Sequence, residues 1–244
     1  MVGAPRCADM TVGIRRHMDR KSALRILGAM GTSIALFERA GGRVSAATPL
    51  PCTLTPDVEM GPFFVDSQPN RSDLTSGTHD RYVTQAVPLS LTLRISKVSQ
   101  AGGCTALPGA RIDVWHADAN GVYSEEAVLN TSGQRYLRGY QIADRQGTVK
   151  FQTVYPGWYP GRTVHIHVMV RPFSASGAAA KQYTTQLYFD DSLTDRVMAR
   201  TPYNTRGART MKNAADGLYS RSTQLALAPR EAGYAAHFSI GVKM

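Results

Sequence analysis

Between Val87 and Ser96 apolar and polar side chains alternate without a break. Leu89, Leu91, Leu93 and Ile95 fall on one face of an extended chain, and Ser90, Thr92, Arg94 and Ser96 on the other. A period of two is the mark of a strand with one buried and one wet face. Similar short runs cover Arg111–Trp115, Arg138–Asp144, Thr148–Thr153, Thr163–Val170, Thr184–Phe189 and Ala236–Val242. Turn-forming clusters divide them, among them Ala101-Gly102-Gly103, Asp118-Ala119-Asn120-Gly121 and Arg145-Gln146-Gly147. No intervening segment sustains a 3.6-residue apolar period long enough for a crossover helix, which argues against a doubly wound α/β sheet. The pattern predicts an all-β fold, a two-sheet β-sandwich with long loops. The longest loop region is expected over residues 190–235, with one short helix in it.

The N-terminal region breaks this pattern. Its longest uncharged, mostly apolar run is Ile26–Phe37, too short to span a bilayer, which takes roughly 20 residues. A basic stretch precedes the run and Ser45-Ala46-Ala47 follows it, the order of a signal peptide. Asp19-Arg20-Lys21-Ser22-Ala23-Leu24-Arg25-Ile26-Leu27 resembles a twin-arginine signal with Arg-Lys for Arg-Arg, and it is better placed if translation starts at Met18 rather than Met1. The expected division is therefore a signal segment over residues 1–46 and a β-sandwich domain over 47–244, exported to the periplasm or outside the cell. An amphipathic helix packed on the domain is the alternative for the first segment. Cys7 falls in the presequence, leaving Cys52 and Cys104 as a pair that is either a disulfide, favoured in an oxidising compartment, or two buried thiols.

The formal net charge of +10 changes little once it is located. Residues 1–46 carry eight Lys/Arg against three Asp/Glu, and residues 47–244 carry twenty against fifteen. The arginines of the larger part are scattered and do not interleave with aromatics, so the footprint of a nucleic-acid binder is missing. Gly-x-Ser-x-Gly, Gly-x-Gly-x-x-Gly and phosphate-loop patterns are absent too, which removes the usual support for serine hydrolase, dinucleotide-binding and NTPase readings.

Candidate chemistry concentrates in Tyr155-Pro156-Gly157-Trp158-Tyr159-Pro160-Gly161-Arg162-Thr163-Val164-His165-Ile166-His167. On a strand His165 and His167 point to one side while Ile166 and Val168 face the core, so the two rings can share a metal. A polar strand face is the plain alternative, and two imidazoles leave Zn, Cu, Fe and Ni open. Tyr159, Arg162 and the earlier Trp115-His116-Ala117-Asp118-Ala119-Asn120-Gly121-Val122-Tyr123 add weight to a site. His116, a strand neighbour of Trp115, is expected on the opposite side, either in a structural role or supporting the site from behind. Tyr136 and Tyr155 are read as strand aromatics with their hydroxyls at the surface, and Asp190-Asp191 as a solvated turn.

Taken in order, these segments resemble the intradiol ring-cleavage dioxygenases. The resemblance starts at Thr55-Pro56 and Met60-Gly61-Pro62-Phe63-Phe64 and runs through Pro108-Gly109-Ala110-Arg111-Ile112-Asp113-Val114-Trp115, Gly121-Val122-Tyr123 and Arg138-Gly139. It continues through Tyr155–Pro160 and His165-Ile166-His167 to Thr185-Gln186-Leu187-Tyr188-Phe189. It implies one non-haem Fe(III) per chain, held by Tyr123, Tyr159, His165 and His167. Arg162 and Gln186 would be catalytic, Arg162 stabilising the negative charge that builds on the ring and Gln186 orienting substrate or peroxide, and Tyr159 would also take part in catalysis. The substrates implied are a small aromatic diol of the catechol type and O2, and the product a cis,cis-muconate-type diacid that carries both oxygen atoms. The six-residue step from Tyr159 to His165 and the Cys52/Cys104 pair resemble the exported branch, which supports the disulfide. Fe(III) is a hard ion, and two phenolates with two neutral imidazoles suit it better than they suit zinc. Two rival classes remain: another His-x-His metalloenzyme, for which no Glu follows His167 before Glu231, and a secreted β-sandwich that binds without catalysis.

Overall fold

The structure is a computed structural model that describes residues 53–66, 68–173 and 180–244. The segment read as a signal, residues 1–46, and Cys52 lie outside the described residues.

Nine strands occur among the described residues: β1 (Pro88–Val98), β2 (Cys104–Ala106), β3 (Arg111–Trp115), β4 (Arg138–Ile142), β5 (Thr148–Val154), β6 (His165–Arg171), β7 (Tyr183–Tyr188), β8 (Leu227–Arg230) and β9 (Gly233–Lys243). One sheet is centred on β1, which pairs antiparallel with β5 and β2 along one edge and parallel with β9 along the other, β8 lying beyond β9. The second is the antiparallel sheet β4-β3-β6-β7. Leu89, Leu91, Leu93 and Ile95 of the first sheet and Ile112, Val114, Ile166, Val168 and Leu187 of the second are buried in a single core. The alternation along β1 thus reads out directly as a two-sheet sandwich.

The seven expected strands are all present, β3 with the expected bounds and the others with ends moved by no more than three residues. β2 and β8 are additions. β2 is only three residues long at a sheet edge, and β8 contains Pro229 and is exposed along most of its length, so neither shows a hydrophobic alternation. The region 190–235 holds more order than expected. Asp190 is no free turn residue: its carboxylate accepts from Leu193 N at 2.9 Å and caps α2 (Asp191–Met198), the helix that follows the one-turn α1 (Arg81–Thr84) along the chain. Asp191 is bound to the buried Arg209, with Asp191 Oδ1 2.6 Å from Arg209 Nη1.

A second apolar cluster lies on the other face of the β4-β3-β6-β7 sheet. It contains Trp115, Ala117, Tyr123 and Met169, with Phe63, Phe64, Leu129 and Tyr159 packed against it. Residues 57–66 run across this face as a strap. Val58 N donates to Thr184 O, Thr184 N to Asp57 Oδ1, and the guanidinium of Arg138 to Phe63 O. Burying both faces of this sheet explains why β6 is apolar except at His165, His167 and Arg171.

Candidate active site

The register of the second sheet sets the site. Arg138 of β4, Trp115 of β3, His167 of β6 and Gln186 of β7 are successive cross-strand partners and form one row; His165 and Tyr188 are partnered in the next. Side chains of directly paired residues share a face, so all six stand on the face under the strap while Ile166 and Leu187 enter the core. Trp115 stacks on His167, with ring centroids 4.8 Å apart and planes within 9°.

Both tyrosines come from outside the sheet. Asp118 Oδ1 accepts from the amides of Asn120 and Val122, making a tight turn that ends just before Tyr123. This turn lies against the 157–159 backbone. Gly121 has φ +73°, and a Cβ placed on it would come 1.9 Å from Trp158 O; on Gly157 a Cβ would meet Ala119 O at 2.3 Å. Only glycine allows that approach, and the approach carries Tyr123 to Tyr159, with ring centroids 5.6 Å apart. Phe63 from the strap stacks on Tyr123 at 4.5 Å. Arg138 is 1% exposed and sits with its guanidinium carbon 5.8 Å from the centre of the Tyr123 ring.

Four donor groups converge. Tyr159 Oη is 3.2 Å from His165 Nε2, and His165 Nε2 is 3.0 Å from His167 Nε2. His165 Nδ1 lies 2.6 Å from the carbonyl of Thr163, which can only accept, so Nδ1 carries the proton and Nε2 presents a lone pair. Tyr123 is fully buried, and its hydroxyl has no hydrogen-bond partner. Burial depresses both histidines, His165 to about 3 and His167 well below its ordinary value, so both are neutral at physiological pH. Burial also raises both phenols, Tyr123 strongly. An unpartnered buried hydroxyl and two imidazole nitrogens aimed at one another are costly alone. A cation among these donors would satisfy them, so the donor set fits a metal that prefers oxygen and nitrogen. Among the described residues no three of His, Cys, Asp and Glu converge on a metal position; the convergent set is two imidazoles and two phenols.

Arg162 and Gln186 stand beside these donors. Arg162 Nη2 donates to Gln186 Oε1 at 2.5 Å and Arg162 Nε to Asp216 Oδ2 at 2.9 Å. Tyr188 Oη is 2.8 Å from Gln186 Oε1 and 6.0 Å separates the Tyr188 and His165 rings. Asp216 and Tyr188 were not picked out from the sequence. Asp216 sits in a loop with no periodicity, and Tyr188, though adjacent to the Gln186 motif, carries no spacing signal of its own. His116 turns into the opposite side as expected, with Nδ1 2.8 Å from Ala117 O and Nε2 2.6 Å from Thr153 Oγ1. The surface reading of Tyr136 and Tyr155 is corrected: both are buried, and Tyr155 Oη is 2.8 Å from Thr194 Oγ1. Each reaches inward because long loops cover the sheet edges at which such hydroxyls would otherwise meet water.

An intradiol ring-cleavage dioxygenase from Tetranychus urticae is 29% identical with a TM-score of 0.64, the match covering 79% of this chain and 95% of the solved one. The dioxygenase domain of a dioxygenase carbohydrate-binding protein fusion from Streptomyces sp. SirexAA-E is 27% identical with a TM-score of 0.56, covering 79% and 99%. Chlorocatechol 1,2-dioxygenase of Pseudomonas putida is 28% identical over 149 residues, 54% of this chain and 52% of that protein. The chain thus spans about half the length of that curated relative. A family model described as Dioxygenase matches residues 60–224, from the strap to the loop that holds Arg162. On that match and on these relatives, the chain belongs to the intradiol ring-cleavage dioxygenase family.

Proposed function

We propose that the protein is a non-haem Fe(III) dioxygenase that cleaves a catechol-type ring between its two hydroxyls, adding both atoms of O2 to give a cis,cis-muconate-type diacid. The observation that carries this reading is the meeting of Tyr159 and His167 at His165 Nε2, at 3.2 Å and 3.0 Å, with the buried Tyr123 ring centred 5.6 Å from the Tyr159 ring and 6.3 Å from the His167 ring. These four residues would hold one iron per chain. When bound, Fe(III) would lower the pKa of both phenols and would activate a diol substrate toward O2 by withdrawing electron density from it.

The chain's own residues supply the rest. The two phenols differ in exposure: Tyr123 is 1% exposed and Tyr159 is half-buried at the edge of the site. Tyr123 is therefore the fixed donor, and the Tyr159 oxygen is the one placed to take a proton from an incoming diol. Trp115, stacked on His167, and Phe63, stacked on Tyr123, back these donors with flat apolar surface that keeps water from behind them. Arg162 supplies a fixed cation for the negative charge that builds on the ring, the kind of preorganised electrostatic help whose loss costs roughly 2.7–4 kcal/mol. Gln186 holds that cation through its Oε1 and is tied to the strap by Nε2, 3.4 Å from Glu59 O.

We further propose export by the twin-arginine route, with the Cys52–Cys104 pair as a disulfide. The order of the 1–46 segment and the even cysteine pair support both. Incubating the iron-loaded protein with catechol under 18O2 tests the central reaction. A product 36 mass units above the substrate would carry both labelled atoms, as roughly two times 18 requires. Unlabelled product, or oxygen uptake that also persists in His165→Ala, would contradict it.

A further inference from the structure

Arg162 projects from a short turn, bridged from Tyr159 to Arg162, at the rim of the site. An arginine side chain left loose there would have to give up its rotamer freedom on being ordered. Electrostatic help depends on donors fixed before the reaction begins. The loop after α2 does the fixing. Asp216 is 7% exposed; its Oδ2 accepts from Arg162 Nε at 2.9 Å and from Thr163 N at 2.8 Å, and its Oδ1 accepts from Leu218 N at 2.9 Å. The loop is tied down independently by Asn213. Asn213 Oδ1 accepts from Thr163 Oγ1, and Asn213 Nδ2 donates to Phe189 O, each at 2.7 Å. With Nε on Asp216 and Nη2 on Gln186, the guanidinium plane is set by two points, and Nη1 is the nitrogen with no hydrogen-bond partner among the described residues.

We propose that Asp216 is a positioning residue for ring cleavage, acting through Arg162: its carboxylate fixes the guanidinium plane so that one edge is held by Gln186 and the remaining nitrogen is presented to the substrate. This rests on the reading that Arg162 assists the reaction. The carboxylate also takes the Thr163 amide, two residues before His165, so the loop and β6 are joined at the site's rim. A role limited to neutralising Arg162 would have the opposite sign, because removing the acid would then strengthen the field on an anionic diol.

The test is a set of variants in the iron-loaded full chain. Asp216→Asn keeps the shape and removes the charge-assisted grip. It should retain iron and colour while kcat falls about 10- to 100-fold and KM moves by less than about threefold. Asp216→Glu keeps the charge but moves the carboxylate by one methylene, and should lose comparable activity. In an Arg162→Lys background, Asp216→Asn should cost no more than about twofold further, since the two residues act as a unit. Wild-type kcat in either single variant, or penalties that multiply in the double variant, would overturn the proposal. One readout needs no turnover: a crystal structure of the Asp216→Asn protein should show Arg162 swung off Gln186, and an unmoved Arg162 would overturn it. A wild-type protein that holds iron yet cleaves no diol would instead overturn the functional reading, leaving the crystal result to decide this one.

Discussion

Single residues carry the site through close approach. Gly121, with φ +73° and Trp158 O 1.9 Å from where a Cβ would stand, is the point at which the Tyr123 turn touches the Tyr159 segment. Gly121→Ala should cost roughly 1–3 kcal/mol from backbone strain alone, and more from the clash. It should also separate the two phenols. The urea midpoint should drop and the purified protein should hold little iron; a variant with wild-type midpoint and iron content would show that the approach is not needed. The same contact explains what the sequence could and could not disclose. His165 and His167 are legible because strand alternation alone puts both on one face. Tyr123 is legible only through the family resemblance, since its place depends on a turn folding against a segment more than thirty residues away. Asp216 is illegible for the same reason, its partner Arg162 being brought near only by tertiary structure.

Elements act through the turn and the row. The Asp118 carboxylate, 2% exposed, caps the 118–122 turn, and burial raises it to about 7 against an ordinary value of 3.8. A carboxyl with a raised folded pKa contributes most when it is protonated in both states, so that stability is lost as pH climbs from about 4 to about 7. The Asp118→Asn protein lacks this titration. Its stability advantage over wild type should grow across that window with a slope of up to about 1.4 kcal/mol per pH unit, read from urea midpoints at a series of pH values. Parallel curves would show that Asp118 titrates normally. Arg138 joins elements in another way, with Nη2 2.7 Å from Ser124 O and Nη1 2.5 Å from Phe63 O, so it fastens strap and loop on either side of Tyr123. Arg138→Met would leave those buried carbonyls without donors, and thermal unfolding should show a loss of about 3–5 kcal/mol. An unfolding midpoint equal to that of wild type would refute that fastening role.

At the scale of the molecule, strands with one buried face were plain in the sequence because burial writes a period of two into residues such as Leu89, Leu91, Leu93 and Ile95. Strands at exposed edges, such as β8 with Pro229, left no such trace. The α2 helix hid behind Asp190-Asp191, which serves equally in turns and as a helix start. On the proposed function, the stability of the whole domain should also be coupled to iron binding. Two buried phenols whose pKa values lie above their ordinary range must lose protons when Fe(III) binds, so loading should release roughly two protons per iron into weakly buffered solution near neutral pH. Loading should raise the melting temperature as well, and His165→Ala should abolish both effects.

The most direct test of the central claim is the visible spectrum of the iron-loaded full chain before and after anaerobic addition of catechol. Two tyrosinates on Fe(III) predict a coloured protein whose band shifts when the diol binds, with Tyr159→Phe altering the band and His165→Ala losing it. A colourless protein that retains no iron, with both variants indistinguishable from wild type, would contradict the account.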